Sequence, residues 1–247
     1  MKPSKTTPVK ETEEEKPIVV VPPKKKNMLP VRFTTTDLTV DLIYMENTAL
    51  ITEIKFSGGI RYLMTYADKV LKKLQKYKDN VHVQSVDYLI TDGRITRVTR
   101  LEVREKVTTP AEKYYLEYNA SFQINNIKTY AANNSLLSDN TLEYKVDGNL
   151  LSSAIATGSL ISSYTYSYDI RNGIFQSVLF CQLLKMEINE VFFTPGTNNI
   201  LNLFNSRSQK ENVDYEYTYT TDDFPTEIKI RQKGLLQTYK VTYTELK

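Results

Sequence analysis

The chain has 247 residues, of which 40% are hydrophobic, with 18 tyrosines and no tryptophan; this suits one large β domain or two small ones. The formal charge of +3 belongs to the first 30 residues, which hold seven Lys and four Glu, whereas residues 31–247 hold 25 basic and 25 acidic side chains. Because a nucleic-acid-binding domain concentrates positive charge on its folded part, we expect no nucleic-acid partner.

Residues 1–30 are predicted to form an unfolded tether. Six of the nine prolines lie there, interleaved with Lys, Glu and Thr. Such a segment cannot bury enough apolar area to offset its ordering entropy, and its prolines extend it. It is either a terminus without a role or a stalk that holds a domain away from a surface. No apolar run approaches the ~20 residues that a membrane helix needs.

Residues 31–247 are predicted to form a single domain built from β-hairpin units. In the clearest copy, Tyr164-Thr165-Tyr166-Ser167-Tyr168-Asp169 precedes Asn172-Gly173-Ile174, and a second copy occupies residues 214–219. The turns recur roughly every 21 to 29 residues, which suits two strands and two turns in each unit. We place these turns at Asn47, Asp68, Asp92, Asn119–Ser121, Asp147, Asn172, Asn198 and Asp222.

The repeated units predict an all-β fold. Hairpin following hairpin gives an up-and-down antiparallel meander of about eight units, which curls into a strongly curved sheet or an open or partly closed barrel. Aliphatic pairs such as Leu71/Leu74 and Ile95/Val98 follow most turns. Residues three apart cannot share one face of a flat strand, so we expect a bulge or twist just after the turn.

Two stretches carry apolar residues at helical spacing. Residues 68–77 coincide with the repeat and are therefore predicted to be a strand. Residues 177–185 depart from it, so we expect a short helix or an irregular excursion between hairpins there.

The Tyr-x-Tyr-x-Tyr-Asp phrase at 164–169, with Gly-Ile-Phe at 173–175 and Thr-Asn-Asn-Ile at 197–200, resembles the Bacteroidetes envelope lipoproteins of unknown function with a porin-like fold. The resemblance covers about residues 40–245. It implies a curved or partly closed sheet hung from an envelope membrane by a lipidated cysteine and a flexible linker.

By the same resemblance we expect a cell-envelope location, at the outer-membrane surface or its periplasmic face, with the signal peptide removed. No cysteine precedes the proline-rich segment, so the lipid anchor is expected to be absent from this sequence. Strands such as Ile228-Lys229-Ile230-Arg231 keep charges throughout, whereas the lipid-facing side of a membrane barrel carries alternate apolar residues. We therefore expect no direct insertion into a bilayer.

Few residues could carry chemistry. The single histidine, His82, is predicted to be an ordinary strand residue because no nucleophile turn lies near it. The single cysteine, Cys181, excludes an intrachain disulfide and is predicted to be a small buried hydrophobe. The turn aspartates are predicted to bond their own backbone rather than to bind calcium or to form a carboxylate pair. We therefore assign no catalytic residue, metal ligand or cofactor, and expect a protein that is not an enzyme.

The tyrosine rows allow two interpretations. Aromatic rows on a concave sheet can bind a sugar or peptide, but cross-strand tyrosines also stabilise a sheet without a ligand, and packing is favoured. We expect a non-catalytic cell-envelope module that binds a glycan, a peptide or an envelope protein. The alternatives are a hydrolase using turn Asp and Glu carboxylates, or a purely structural or assembly subunit. The candidate binding residues are Tyr164, Tyr166, Tyr168, Tyr215, Tyr217 and Tyr219.

Overall fold

The computed structural model describes residues 27–246, which form a barrel of sixteen antiparallel strands. Each strand pairs with its neighbours in sequence, and β1 pairs with β16, so the sheet closes. The expected all-β meander of about eight hairpin units is confirmed. The strands are β1 (Met28–Thr34), β2 (Thr39–Tyr44), β3 (Ile51–Phe56), β4 (Ile60–Ala67), β5 (Val70–Lys78), β6 (Val81–Thr91), β7 (Arg94–Arg104), β8 (Val107–Tyr118), β9 (Ile124–Ala131), β10 (Leu136–Tyr144), β11 (Leu150–Thr157), β12 (Leu160–Tyr168), β13 (Ile200–Asn205), β14 (Val213–Tyr219), β15 (Pro225–Gln232) and β16 (Leu235–Glu245).

The connections lie at two ends of the barrel because successive strands run in opposite directions. The connections after even-numbered strands, together with the start of β1 and the end of β16, lie at one end, which we call the mouth. Asp147 bonds its own turn backbone there as predicted, since its Oδ1 accepts the backbone N–H of Asn149 at 2.9 Å. Asp68 and Asp92 adopt positive φ angles in their turns.

A β-bulge lies beside every connection at the mouth. In the β2–β3 hairpin, Ile43 pairs with Glu53 but Tyr44 pairs with Ile51, so Thr52 is an extra residue. The same shift recurs in the six later pairs at this end and at the β16–β1 closure. Residues three apart thereby share the inner face, as do the fully buried Leu71 and Leu74. The expected bulge is confirmed.

Tyrosines near these bulges join one hairpin unit to the one before it. The hydroxyl of Tyr44 donates to the carbonyl of Pro30, and the bond is 2.8 Å long. Because each bond satisfies a backbone carbonyl inside the barrel, these tyrosines hold the wall together. Four more hydroxyls make the equivalent bond: Tyr66 to Ile51, Tyr118 to Ile95, Tyr144 to Ile124 and Tyr217 to Ile200.

Residues 170–199, between β12 and β13, leave the wall and occupy part of the lumen; we call them the inner segment. They include the helix α1 (Cys181–Lys185), which confirms the expected excursion, while residues 68–77 contribute to strand β5 as expected. The separate turns predicted at Asn172 and Asn198 are wrong. Both residues lie at the base of the inner segment, where Asn199 Nδ2 donates to the carbonyl of Asn172.

The inner segment contacts strands around the whole barrel. Its buried residues belong to the same hydrophobic core as those of the wall. The partners lie on distant strands, which places the segment inside the closed sheet. The contacts are Phe192 with Phe33 of β1 (ring centroids 4.5 Å apart), Glu187 with Arg100 of β7 (3.1 Å), and Gln182 with the Tyr144 hydroxyl of β10.

Two buried asparagines and a glycine fix the base of the inner segment. Asn199 accepts the backbone N–H of Ile174 at 3.1 Å and donates to Asp169 at 3.0 Å. Asn149, from the β10–β11 turn, accepts two backbone N–H groups of residues 197 and 198. A Cβ on Gly173 would lie 2.5 Å from the backbone oxygen of Gly196, so these two stretches of backbone can approach each other only because residue 173 is glycine.

Residues 1–26 of the predicted tether lie outside the described residues. The strand β1 begins at Met28, within the range predicted for the tether. No helix in the described part of the chain is long and apolar enough to cross a membrane.

Candidate functional site

Two cavities lie between the inner segment and the barrel wall. The mouth cavity, of about 430 Å³, lies among the turns at the mouth. The lumenal cavity, of about 310 Å³, lies deeper, against strands β9 to β14. Four residues line both cavities and so separate them: Gly148, Gln182, Pro195 and Gly196.

The lumenal cavity is walled mainly by apolar and aromatic side chains. The inner segment contributes Met186, Phe193 and the single charged residue, Lys185. Apolar walls with a few polar groups are typical of small-molecule sites. From the barrel come the aliphatic residues Ile127, Leu142, Leu150, Ile200 and Leu203, and the tyrosines Tyr144, Tyr166, Tyr168 and Tyr215.

The structure brings three of the six predicted tyrosines together around this cavity: Tyr166, Tyr168 and Tyr215. The other three have different neighbours. Tyr144 was not among the predicted binding residues, although its place before a mouth turn was a usable signal. The hydroxyl of Tyr164 donates to Glu211, that of Tyr217 to the carbonyl of Ile200, and that of Tyr219 to Asp169.

The tyrosines of the lumenal cavity differ in their hydrogen bonds. The Tyr144 hydroxyl donates to the Ile124 carbonyl at 2.8 Å, and the Tyr166 hydroxyl lies 3.3 Å from Ser153 Oγ. The Tyr168 hydroxyl is buried without a hydrogen-bond partner. Burial raises the pKa of Tyr168, and the backbone of Leu150, which is close to the hydroxyl but outside hydrogen-bond geometry, opposes the rise. The phenols are therefore neutral donors near physiological pH.

Lys185 places an amino group in this apolar surrounding. It ends α1, whose Leu183 and Leu184 are buried. Its Nζ donates to the backbone carbonyl of Glu190 at 2.7 Å, and no ion pair in the described part of the chain includes it. Burial lowers the pKa of Lys185 to about 8, against the opposing effects of Cys181 and Glu190.

The mouth cavity is also positively charged. Its Arg94 guanidinium lies 4.1 Å from the ring centroid of Phe122, a cation–π distance. Phe122 is 68% exposed and has a positive φ of 64°, so the turn holds an aromatic ring in solvent. Gln176 adds a buried Nε2 without a hydrogen-bond partner. Arg94 and Lys185 are the charged residues that line the two cavities, and both are cations.

Carboxylates gather instead on the β6–β8 side of the inner segment. The Glu187 side chain, 1% exposed, accepts Gln84 Nε2 at 2.8 Å and Arg100 Nε at 3.1 Å. Arg100 also contacts Glu112 at 2.6 Å. Burial raises the pKa of Glu187, and the cationic Arg100 opposes the rise. This cluster joins the inner segment to the wall.

His82 and Cys181 contact other parts of the protein that pack around them. His82 Nε2 lies 3.1 Å from Ser85 Oγ, and its ring stacks on Tyr77 at 5.0 Å. Cys181 is buried, and burial raises the pKa of its thiol. Among residues 27–246, no group of three or more His, Cys, Asp or Glu side chains could hold a metal ion.

The comparisons with known proteins identify the architecture. No protein-family model and no curated protein matches the chain. A porin-like protein from Bacteroides uniformis has a similar structure, with a TM-score of 0.55 and 18% identity over 90% of this chain and 96% of that chain. A porin-like protein from Bacteroides vulgatus gives a TM-score of 0.53 and 14% identity over 87% of this chain and 99% of that one. At these identities the likeness shows the fold, so the chain folds as a porin-like β-barrel.

Proposed function

We propose that the protein is a non-catalytic, envelope-associated β-barrel that binds a small, largely apolar ligand in its lumen. The lumenal cavity supports this proposal most directly. A sixteen-stranded barrel encloses a lumen wide enough for a channel unless another part of the chain fills it, and here the inner segment occupies part of it. This barrel fills only part of its interior and keeps a cavity of about 310 Å³, near the lower end of the ~300 to 1,000 Å³ range of ligand pockets.

The cavity is large enough for only some of the partners that the sequence led us to expect. A peptide or an envelope protein could dock only outside it, whereas a compact small molecule fits inside. Tyr166, Tyr168 and Tyr215 would then contact the ligand as part of the wall, in the role that the tyrosine rows suggested.

The envelope location is supported by the fold, since both similar structures are porin-like proteins from Bacteroides. Ion pairs and hydrogen-bonded polar pairs on the outer face of the wall support a barrel that lies in water beside a membrane, because a lipid-facing wall carries an apolar band. A lipoprotein-type anchor ahead of the proline-rich residues 1–30 would hold it there. The polar pairs on the wall are Arg32–Asp41, Lys73–Asp87, Lys128–Glu117 and Asn202–Asp214.

Neighbouring residues of β13 provide the test. Leu203 lines the lumenal cavity, whereas Phe204 is 48% exposed. We expect Leu203→Trp to occupy the cavity and Phe204→Trp to leave it open. Titration with the neutral dye N-phenylnaphthylamine should show saturable binding to the wild type and to Phe204→Trp, and about tenfold weaker binding to Leu203→Trp.

Equal dye affinity of the two variants, with both folded by circular dichroism, would contradict binding in the lumen, as would the absence of saturable binding to the wild type. The hydrolase alternative has a separate signature. Turnover in a broad hydrolase screen that is lost on substitution of turn aspartates, without unfolding, would replace the proposal by an enzyme.

A further inference from the structure

Two polar groups in the wall of the lumenal cavity have unused hydrogen-bonding capacity. Lys185 Nζ has three donors and bonds one protein carbonyl, that of Glu190. The hydroxyl of Tyr168 is buried and has no partner. The Tyr88 and Tyr243 hydroxyls are also buried without a partner, but neither lines this cavity. Here an unpaired hydroxyl and an underused ammonium line one apolar cavity, and because buried polar groups are usually paired, they indicate a missing acceptor.

The charge of the surroundings indicates which acceptor is missing. No Asp or Glu lines this cavity or the mouth cavity, and the charged side chains that do, Lys185 and Arg94, are both cations. An ammonium in an apolar cavity is costly unless an anion pairs with it. Since no ion pair of the described residues includes Lys185, the anion would have to come with the ligand.

We propose that the lumenal cavity binds a small amphipathic acid whose carboxylate pairs with Lys185. This inference rests on the proposed function and names the ligand class of the same cavity. The Tyr168 hydroxyl supplies a second donor to the carboxylate. The apolar body of the ligand packs on the aliphatic and aromatic wall, where Leu142, Leu203 and Phe193 provide much of the contact.

The mouth cavity provides an entry route for an acid, because its polar side chains can also bind a carboxylate. An acid arriving from solvent meets Arg94, stacked on the exposed Phe122, and the unpaired Gln176 amide. Between the two cavities stands Gln182, whose side chain bonds the Tyr144 hydroxyl. Gln182 shares this position with Gly148, Pro195 and Gly196, which also line both cavities.

The state of Lys185 makes the binding dependent on pH. Burial lowers its pKa to about 8, and a bound carboxylate favours the protonated amine. Binding above about pH 8 therefore takes up a proton, and affinity falls by up to tenfold per pH unit. The other groups around Lys185 do not cause this fall in affinity. Cys181 and Glu190 raise the pKa of the amine and so favour its protonated form. Burial raises the pKa of Cys181 and of the cavity phenols, so they stay neutral in this pH range.

The test compares decanoate with decanol by isothermal titration calorimetry on the whole chain. We expect Lys185→Met to bind decanoate about 10- to 100-fold more weakly than the wild type, the range for a lost hydrogen bond to a charged group, and to bind decanol unchanged. Lys185→Arg should recover part of the loss. Lys55→Met, on the exposed outer face, is the matched control and should behave as the wild type.

Lys185→Met should remain folded, because it replaces a partly buried ammonium that has no ion-pair partner among the described residues by an apolar side chain of similar length, which suits the apolar cavity. The inference is overturned if Lys185→Met and the wild type bind decanoate equally, if affinity is unchanged between about pH 7 and about pH 9.5, or if decanoate fails to displace a dye that does bind in the lumen. Failure of the dye itself to bind contradicts the proposed function instead, so the two failures are distinguishable.

Discussion

The lumen of this barrel is packed on one side and hollow on the other, although the same inner segment serves both. On the packed side, the Phe192 ring lies between Phe33 and Tyr239, with centroid distances of 4.5 and 5.0 Å. On the hollow side, against β9 to β14, the segment leaves a cavity of about 310 Å³. Protein interiors are normally close-packed, so the hollow side needs a reason of its own.

The two sides of the lumen serve different purposes: the packed side stabilises the fold, and the hollow side can bind a ligand. The packed side, together with Glu187 and Arg100, holds the inner segment in place. The hollow side forgoes dispersion contacts, because its lining atoms have no neighbours across the gap. Because contacts on the packed side are enough to hold the inner segment, the other side can remain open to a ligand at a modest cost in stability.

The largest effect is expected on the packed side. Phe192→Ala removes a ring that is 1% exposed and should lower the free energy of unfolding by about 3 to 5 kcal/mol. Leu203→Ala, on the hollow side, should cost about 2 kcal/mol or less, because its side chain already borders a void. Urea unfolding followed by circular dichroism measures both. Equal losses would show that the two sides are packed alike.

A second variant tests the polar attachment of the inner segment. Glu187→Ala removes the buried acceptor that Arg100 and Gln84 share and leaves Arg100 with Glu112 alone, so it should lower the free energy of unfolding by about 2 to 4 kcal/mol. The control is Asp87→Ala, which breaks the exposed outer pair with Lys73 at 3.3 Å and should cost about 1 kcal/mol or less. If the two variants lose the same stability, Glu187 does not hold the segment.

Much of the wall could be predicted because its signals are local. The positive φ of Asp68 and Asp92 follows from residue types that tolerate left-handed turns. The bulges follow from aliphatic pairs such as Leu71 and Leu74, whose spacing of three fits no flat strand. Each of these features is decided within a few residues of the chain.

The inner segment could be predicted only as an excursion. Near residues 172 and 198 the local residues resemble two further turns, but their placement depends on distant contacts, such as the bond from Asn199 to Asp169. For the same reason Lys185 was missed as a candidate site residue. A lysine at the end of a short helix gives no local sign that it lines a cavity, because the opposite wall comes from β9 to β14.

The smallest expected effect divides the tyrosines themselves. Tyr44, on strand β2, donates to the Pro30 carbonyl, so Tyr44→Phe should lower the free energy of unfolding by about 1 kcal/mol. Tyr168, on the hollow side, has a buried hydroxyl without a partner, and burying such a group is unfavourable. Tyr168→Phe should therefore leave stability unchanged or raise it slightly.

Urea unfolding without added ligand distinguishes these two tyrosines, and each variant is the control for the other. A loss of about 1 kcal/mol in Tyr168→Phe would mean that its hydroxyl bonds the protein and is not reserved for a ligand. The expected difference instead assigns two roles within one repeated pattern. The bonded tyrosines hold the wall together. Of the three tyrosines in residues 27–246 whose buried hydroxyls have no partner, Tyr88, Tyr168 and Tyr243, Tyr168 is the one that lines the lumenal cavity, where its donor is available to a ligand.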